Sequence, residues 1–233
     1  MNEVSVDREP EDVGVAGGIL MTAVGGFVDA YLFLRDGVFG FAQTGNVVFL
    51  AVALIQGSNW TKYLWPILVY LLGLCAAQVI RGRLASHPRF TIAVTIAAQV
   101  IVFALLAAIA PIVPAAVLIV TLSFVAGVRL ELFRHAGGLS FVSIATTGNL
   151  MRFVEAGAGL LHSRTWSSLR GFAVTGFVVI GFLVGALAGA GASYLLGASA
   201  LWGAVALEAA TFFIFLLRGG NRHESNQGDK TSR

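Results

Sequence analysis

Ionisable side chains set inside long apolar runs are the residues of this sequence best placed to do chemistry. Glu208 stands between "LWGAVAL" and "AATFFIFLL". A charge in hydrocarbon is costly, so an embedded ionisable residue is a functional candidate by default. An uncompensated Glu208 would suit proton coupling, exchanging its proton where a water-filled cavity or a cationic partner such as Arg129 reaches it, whereas a Glu208 satisfied by a neighbouring helix, with Gln99 as a partner, would only hold the bundle together. Asp29 in "GGFVDAYLFL", and Arg129 with Glu131 in "AGVRLELFRHAGG", form two further polar clusters late in apolar runs. They read as a gate approached from opposite faces of the membrane, or more plainly as side chains that snorkel at helix ends.

A second kind of candidate is uncharged. Gln43, Thr44, Gly45 and Asn46 are tied into the apolar "FGFAQTGNVVFLAVALI", and the knot returns as Thr146, Thr147, Gly148 and Asn149. Gly permits backbone angles that a helix interior forbids. Thr and Asn bond to nearby backbone and compete with helical bonding. Together they suit a break from which a second helix starts, with Thr44 or Asn46 as its cap. Amides at such a break must be satisfied by protein, water or ligand, and a helix N-terminus favours negative charge. Gln43, Thr44, Gly45 and Asn46, with Thr147, Gly148 and Asn149, are therefore expected to bind a small solute, anionic or carbonyl-bearing. The plainer alternative is that Thr, Gly and Asn pack helix against helix.

Other residues carry less. Arg152 and Glu155 have the spacing of a helical ion pair. Gly181, Gly185 and Gly189 make a double GxxxG, which implies close helix contact inside the bundle or a homodimer seam. No HExxH, GxSxG, Walker or GxGxxG pattern occurs. The histidines at 87, 135, 162 and 223 have no ligand spacing, and the single Cys75 allows no disulfide framework. The sequence points to no enzyme, no cofactor, no metal and no nucleic-acid partner.

The elements that must position these residues follow from the medium. Of 233 residues, 57% are hydrophobic and 12% charged, about half the charge of an average soluble domain. Apolar segments recur at 13–34, 63–80, 90–110, 112–130, 171–197 and 199–217, near the roughly 20 residues a spanning helix needs. Two more, 37–56 and 136–161, carry the TGN knots. Six crossings with the N-terminus inside, leaving aside Arg129 and Arg152, place every basic residue inside except Arg35 and Lys62. Eight crossings would keep Arg35 outside and move Arg81, Arg83, Arg89 and Arg134 there as well. Lys and Arg collect on the cytoplasmic side, which favours six spans plus two re-entrant or broken TGN helices.

The order span, TGN element, Trp-led span, span with a central polar residue occurs twice. Trp60 corresponds to Trp166, and Gln99 to Glu208. Three crossings per half make the repeat inverted, as in many secondary transporters; four would make it parallel, with eight spanning helices. The expected organisation is a cytoplasmic tail at 1–12, membrane repeats at 13–110 and 111–217, and a disordered cytoplasmic tail at 218–233.

The combination "GGFVDAYLFL", "VFGFAQTGNVVFL", "AGVRLELFRHAGG", "ATTGNLMRFVEA" and "ALEAATFFIF" resembles the YoaK-like family of bacterial inner-membrane proteins, a domain of unknown function. The resemblance covers about residues 15 to 217. It implies a small multi-pass protein of the bacterial inner membrane and no established substrate. Family members often carry Gln-Asn after the Gly where this chain has Val128-Arg129-Leu130-Glu131. The expected function is a small-solute transporter or channel-like permease with its site between the TGN motifs; the alternative is a non-transporting scaffold or assembly factor.

Overall fold

A computed structural model describes residues 13–84, 87–133, 135–136, 139–140 and 146–228; the expected tail at 1–12 lies outside these residues. Backbone in hydrocarbon must satisfy its own polar groups, and helices do so. The chain forms α1 (Gly14–Asp36), α2 (Gln43–Gln56), α3 (Thr61–Arg83), α4 (Pro88–Ile109), α5 (Ala115–Leu132), α6 (Thr146–Ser163), α7 (Trp166–Leu196) and α8 (Leu201–Gly228). A short antiparallel pairing of β1 (His135–Ala136) with β2 (Leu139–Ser140) lies between α5 and α6. Among the described residues, five stretches are long and apolar enough to cross a membrane, the last being Trp166–Arg218. A 3-10 turn at Gly197–Ala200 divides that last stretch into α7 and α8. The protein is an all-α, multi-pass integral membrane protein. Helix α8 runs on to Gly228, beyond the tail start expected at 218, because extending a helix already nucleated costs little.

Which helix ends share a side decides whether the TGN helices cross. Val13, Met21, Ile92, Ile96, Phe133, Val178 and Phe215 form one buried cluster, so the starts of α1, α4 and α7 sit with the ends of α5 and α8. The Arg89 guanidinium lies 5.7 Å from the Phe215 ring. At the other end, Arg35 donates to the carbonyls of Ala110 and Val113 at 2.8 and 3.1 Å, and Lys62 donates to the carbonyl of Asp36 at 3.0 Å. Helix α1 therefore ends on the side where α3 and α5 begin, and α1 and α5 run in opposite directions. The segment between α1 and α3 goes in and comes back. Had α2 crossed, Val13 at the start of α1 and Ile92 at the start of α4, which share one cluster, would lie at opposite ends of the bundle.

Two interlocked seams build the interior. On the α1–α7 seam, a Cβ at Gly185 would meet the Ala23 carbonyl oxygen at 2.0 Å, and one at Gly26 would meet that of Phe182 at 2.1 Å. On the α3–α5 seam, a Cβ at Gly73 would meet the Phe124 oxygen at 2.3 Å, and one at Gly127 the Tyr70 oxygen at 2.2 Å. One register shift carries Ala23 and Gly26 onto Phe124 and Gly127. A second carries Tyr70 and Gly73 onto Phe182 and Gly185. The seams are thus equivalent contacts made by the two halves. Trp60 and Trp166 mark helix starts rather than this register, since α7 has 31 residues against 23 in α3.

Gly181, Gly185 and Gly189 all face α1, with Ile19, Ala23 and Phe27 as their neighbours. They are used inside the bundle, against α1.

Candidate functional site

Between α1 and α2 the chain descends without helical structure from Gly37 to Ala42. Gly37 and Gly57, at φ of 67° and 63°, close α1 and α2 in the left-handed conformation that Gly adopts without strain. The expected break therefore lies before the TGN motif, and the motif itself forms the first turn of α2. Residue Ala42 occupies the N-cap with no side-chain bond, so neither Thr44 nor Asn46 caps the helix. Asp29 does this from α1. Its Oδ1 accepts from the Phe41 amide at 2.7 Å and its Oδ2 from the Ala42 amide at 3.0 Å. A carboxylate at a helix N-terminus is favoured by the dipole and by the orphan amides there. The place at which the sequence suggested an anionic solute is thus filled by the chain's own anion.

Asn46 works backwards along the chain. Its Nδ2 donates to the Phe39 carbonyl at 2.7 Å and to Gln43 Oε1 at 2.9 Å, and its Oδ1 accepts from the Phe39 amide at 3.0 Å. The fully buried side chain locks the descending segment to the helix that climbs out. Gln43 donates to the Gly40 carbonyl at 2.7 Å. Gly45 is helical, and its use is spatial: a Cβ there would come within 2.6 Å of the Phe39 ring. In the second half, Thr146, Thr147, Gly148 and Asn149 likewise form the first turn of α6, with Asn149 buried.

A cavity of about 530 Å³ lies between these two first turns. Thr44 lines it from α2 and Thr147 from α6, with Gln43 and Gly45 beside Thr44. Asp29 and Leu130 line it from α1 and α5, and Tyr70 and Phe182 from α3 and α7. The register shifts that relate the seams also relate Asp29 to Leu130 and Tyr70 to Phe182. Three pairs of lining residues, Asp29 with Leu130, Tyr70 with Phe182 and Thr44 with Thr147, are therefore matched between residues 13–110 and 111–217. Of the expected binding residues, the structure brings Gln43, Thr44, Gly45 and Thr147 to the cavity, together with Asp29. Asn46, Gly148 and Asn149 are not among its lining residues.

The remaining embedded charges are paired. Arg129 Nη2 lies 2.6 Å from Glu208 Oε2, and both side chains are inaccessible to solvent. Glu208 is thus compensated, by Arg129 and not by Gln99. The Gln99 amide has no hydrogen-bond partner among the described residues. Glu131 pairs with Arg81 at 3.0 Å, because residues two apart on a helix do not face one another. Arg129 and Glu131 thus do not act as one cluster. The Arg129 guanidinium is 5.9 Å from the Phe41 ring, whose own amide is held by Asp29, so the Asp29 and Arg129 groups meet across Phe41 in the interior. Arg152 donates to the Gly148 carbonyl at 3.2 Å, and no Arg152–Glu155 ion pair forms.

Reading the sequence for polar residues missed the aromatic walls: Phe33, Phe39, Phe41, Tyr70 and Phe182 all line the cavity. A signal was present, since Tyr70 and Phe182 each stand three residues before a seam glycine, in "YLLG" and "FLVG". A family model described as "Protein of unknown function (DUF1275)" matches residues 17–214. No curated protein and no solved structure matches. The chain belongs to that family.

Proposed function

We propose that this member of the family is a permease for a small solute, with its site in the cavity between the first turns of α2 and α6. The observation that supports it is the pairing of the cavity walls across the two halves. Oppositely directed halves that share one central site are the arrangement by which secondary transporters expose a site to either side in turn. On this reading residues 13–110 and 111–217 form an inverted repeat around the site. The Arg129–Glu208 pair fixes α5 to α8 within the second half, where the first half has Val28 and Gln99.

The side carrying Arg81, Arg83, Arg89 and Arg218 would be cytoplasmic, and Arg35 and Lys62 would face outward. Both termini then lie in the cytoplasm of a bacterial cell, with the protein in its inner membrane. The test is uptake by purified protein in liposomes across a broad panel of small solutes. A permease accumulates at least one of them above protein-free liposomes. A folded protein that moves none contradicts the proposal. The Asn46 bonds, all made within its own segment, favour a second reading in which the TGN motif is purely architectural and the protein a scaffold. That reading predicts no uptake and no solute-dependent stabilisation.

A further inference from the structure

We propose that the cavity takes a small organic solute bearing an ammonium group. This inference rests on the cavity being the solute site of the permease reading. Among the described residues, Asp29 is the one carboxylate that lines the cavity, and no Lys, Arg or His lines it. The Asp29 carboxylate accepts the Phe41 and Ala42 amides and is also addressed by the Gly40 amide; with about four acceptor positions it keeps one for another donor. The N-terminus of α2 offsets only about half a charge, so an ionised Asp29 leaves the wall negative. The nearest buried cation, Arg129, is already neutralised by Glu208 at 2.6 Å.

The rest of the wall suits the same ligand. Phe33, Phe39, Phe41, Tyr70 and Phe182 line the cavity. Phe33 and Phe39 stack on one another and Arg129 stands against the Phe41 ring, which leaves the Tyr70 and Phe182 rings for a ligand. Aromatic faces attract cations, most of all when both are desolvated. A bare metal ion is poorly matched, because hard cations require several oxygen ligands. An alkylammonium or quaternary ammonium group fits: its charge addresses Asp29 and its methyl or methylene groups pack on the rings. The volume of about 530 Å³ is within the range of sites for small organic ligands.

The test uses purified full-length protein and calorimetric titration with four probes: choline, n-butylammonium, butyrate, and 3,3-dimethylbutan-1-ol. The last has the shape of choline with carbon in place of the charged nitrogen. The expected result is that at least one ammonium probe binds about tenfold or more tightly than both the alcohol and butyrate. Asp29→Asn should abolish that preference. Should Asp29→Asn fail to fold, because Asn can no longer accept from both amides, Tyr70→Leu serves instead and should weaken ammonium binding while leaving the alcohol unchanged. Ammonium probes that bind no better than the alcohol or butyrate overturn the inference. Uptake in liposomes separates the two claims: transport of a neutral or anionic solute without ammonium binding sinks the inference and leaves the permease. Ammonium binding with no transport of any solute sinks the permease and leaves the site.

Discussion

Asn46 spends its whole amide on Phe39 and Gln43, so its removal exposes the Phe39 backbone groups in an apolar interior. Asn46→Ala should lower unfolding stability in detergent by about 1–3 kcal/mol, the cost of leaving buried groups unpaired. Thr44→Ala, at an exposed position of the same turn that lines the cavity, should leave the midpoint nearly unchanged; equal effects would remove the distinction. Glu208 belongs to a pair, and breaking a buried pair from one side costs more than replacing both partners. Glu208→Gln and Arg129→Met are each expected to destabilise by about 3–5 kcal/mol, and the double substitution by clearly less than their sum. Additive losses in this double-mutant cycle, read by thermal unfolding, would mean the pair carries no coupling. The sequence shows Glu208, Arg129 and Asp29 embedded and offers both Arg129 and Gln99 as partners for Glu208 without deciding between them, and it does not show what Asp29 holds. Pairing across 79 residues, as for Arg129 and Glu208, depends on helix packing that side-chain type alone does not specify.

Among the elements, the apolar helices and the in-and-out course of α2 were legible, since length, hydropathy and the placement of basic residues each constrain them. The start of α2 was misplaced because Gly45 was read for its backbone freedom, whereas the structure uses its missing Cβ to seat Phe39. The double GxxxG was read as close contact without a partner, and the partner is α1 in a parallel seam. Along that seam, Gly185→Ala would place a methyl 2.0 Å from a carbonyl oxygen, and Gly127→Ala on the equivalent seam 2.2 Å from another. Each should cost about 1–3 kcal/mol through overpacking and lower the thermal midpoint of the purified protein. Gly191→Ala, with nothing within 4 Å of the new methyl, should not lower it. A Gly185→Ala protein as stable as the parent would mean that α1 and α7 do not pack this closely.

For the whole molecule, helix-end contacts place the turn after α2 and the turn after α6 on opposite sides. In a Cys75→Ala background, Ser58→Cys should react with an impermeant thiol reagent added outside intact cells, and Ser163→Cys should not. Protection of both positions would restore eight crossings and a parallel repeat. The central claim is that the paired walls enclose a water-filled solute site rather than a packing seam. Single cysteines at Thr44 and Thr147 test it most directly, because only a thiol reached by water ionises and reacts. The account predicts that Thr44→Cys and Thr147→Cys are both modified by a small hydrophilic methanethiosulfonate in the purified protein, while Ser123→Cys, at a fully buried position, stays protected. Thr44→Cys and Thr147→Cys as unreactive as Ser123→Cys, in protein that is folded and stable, would contradict it.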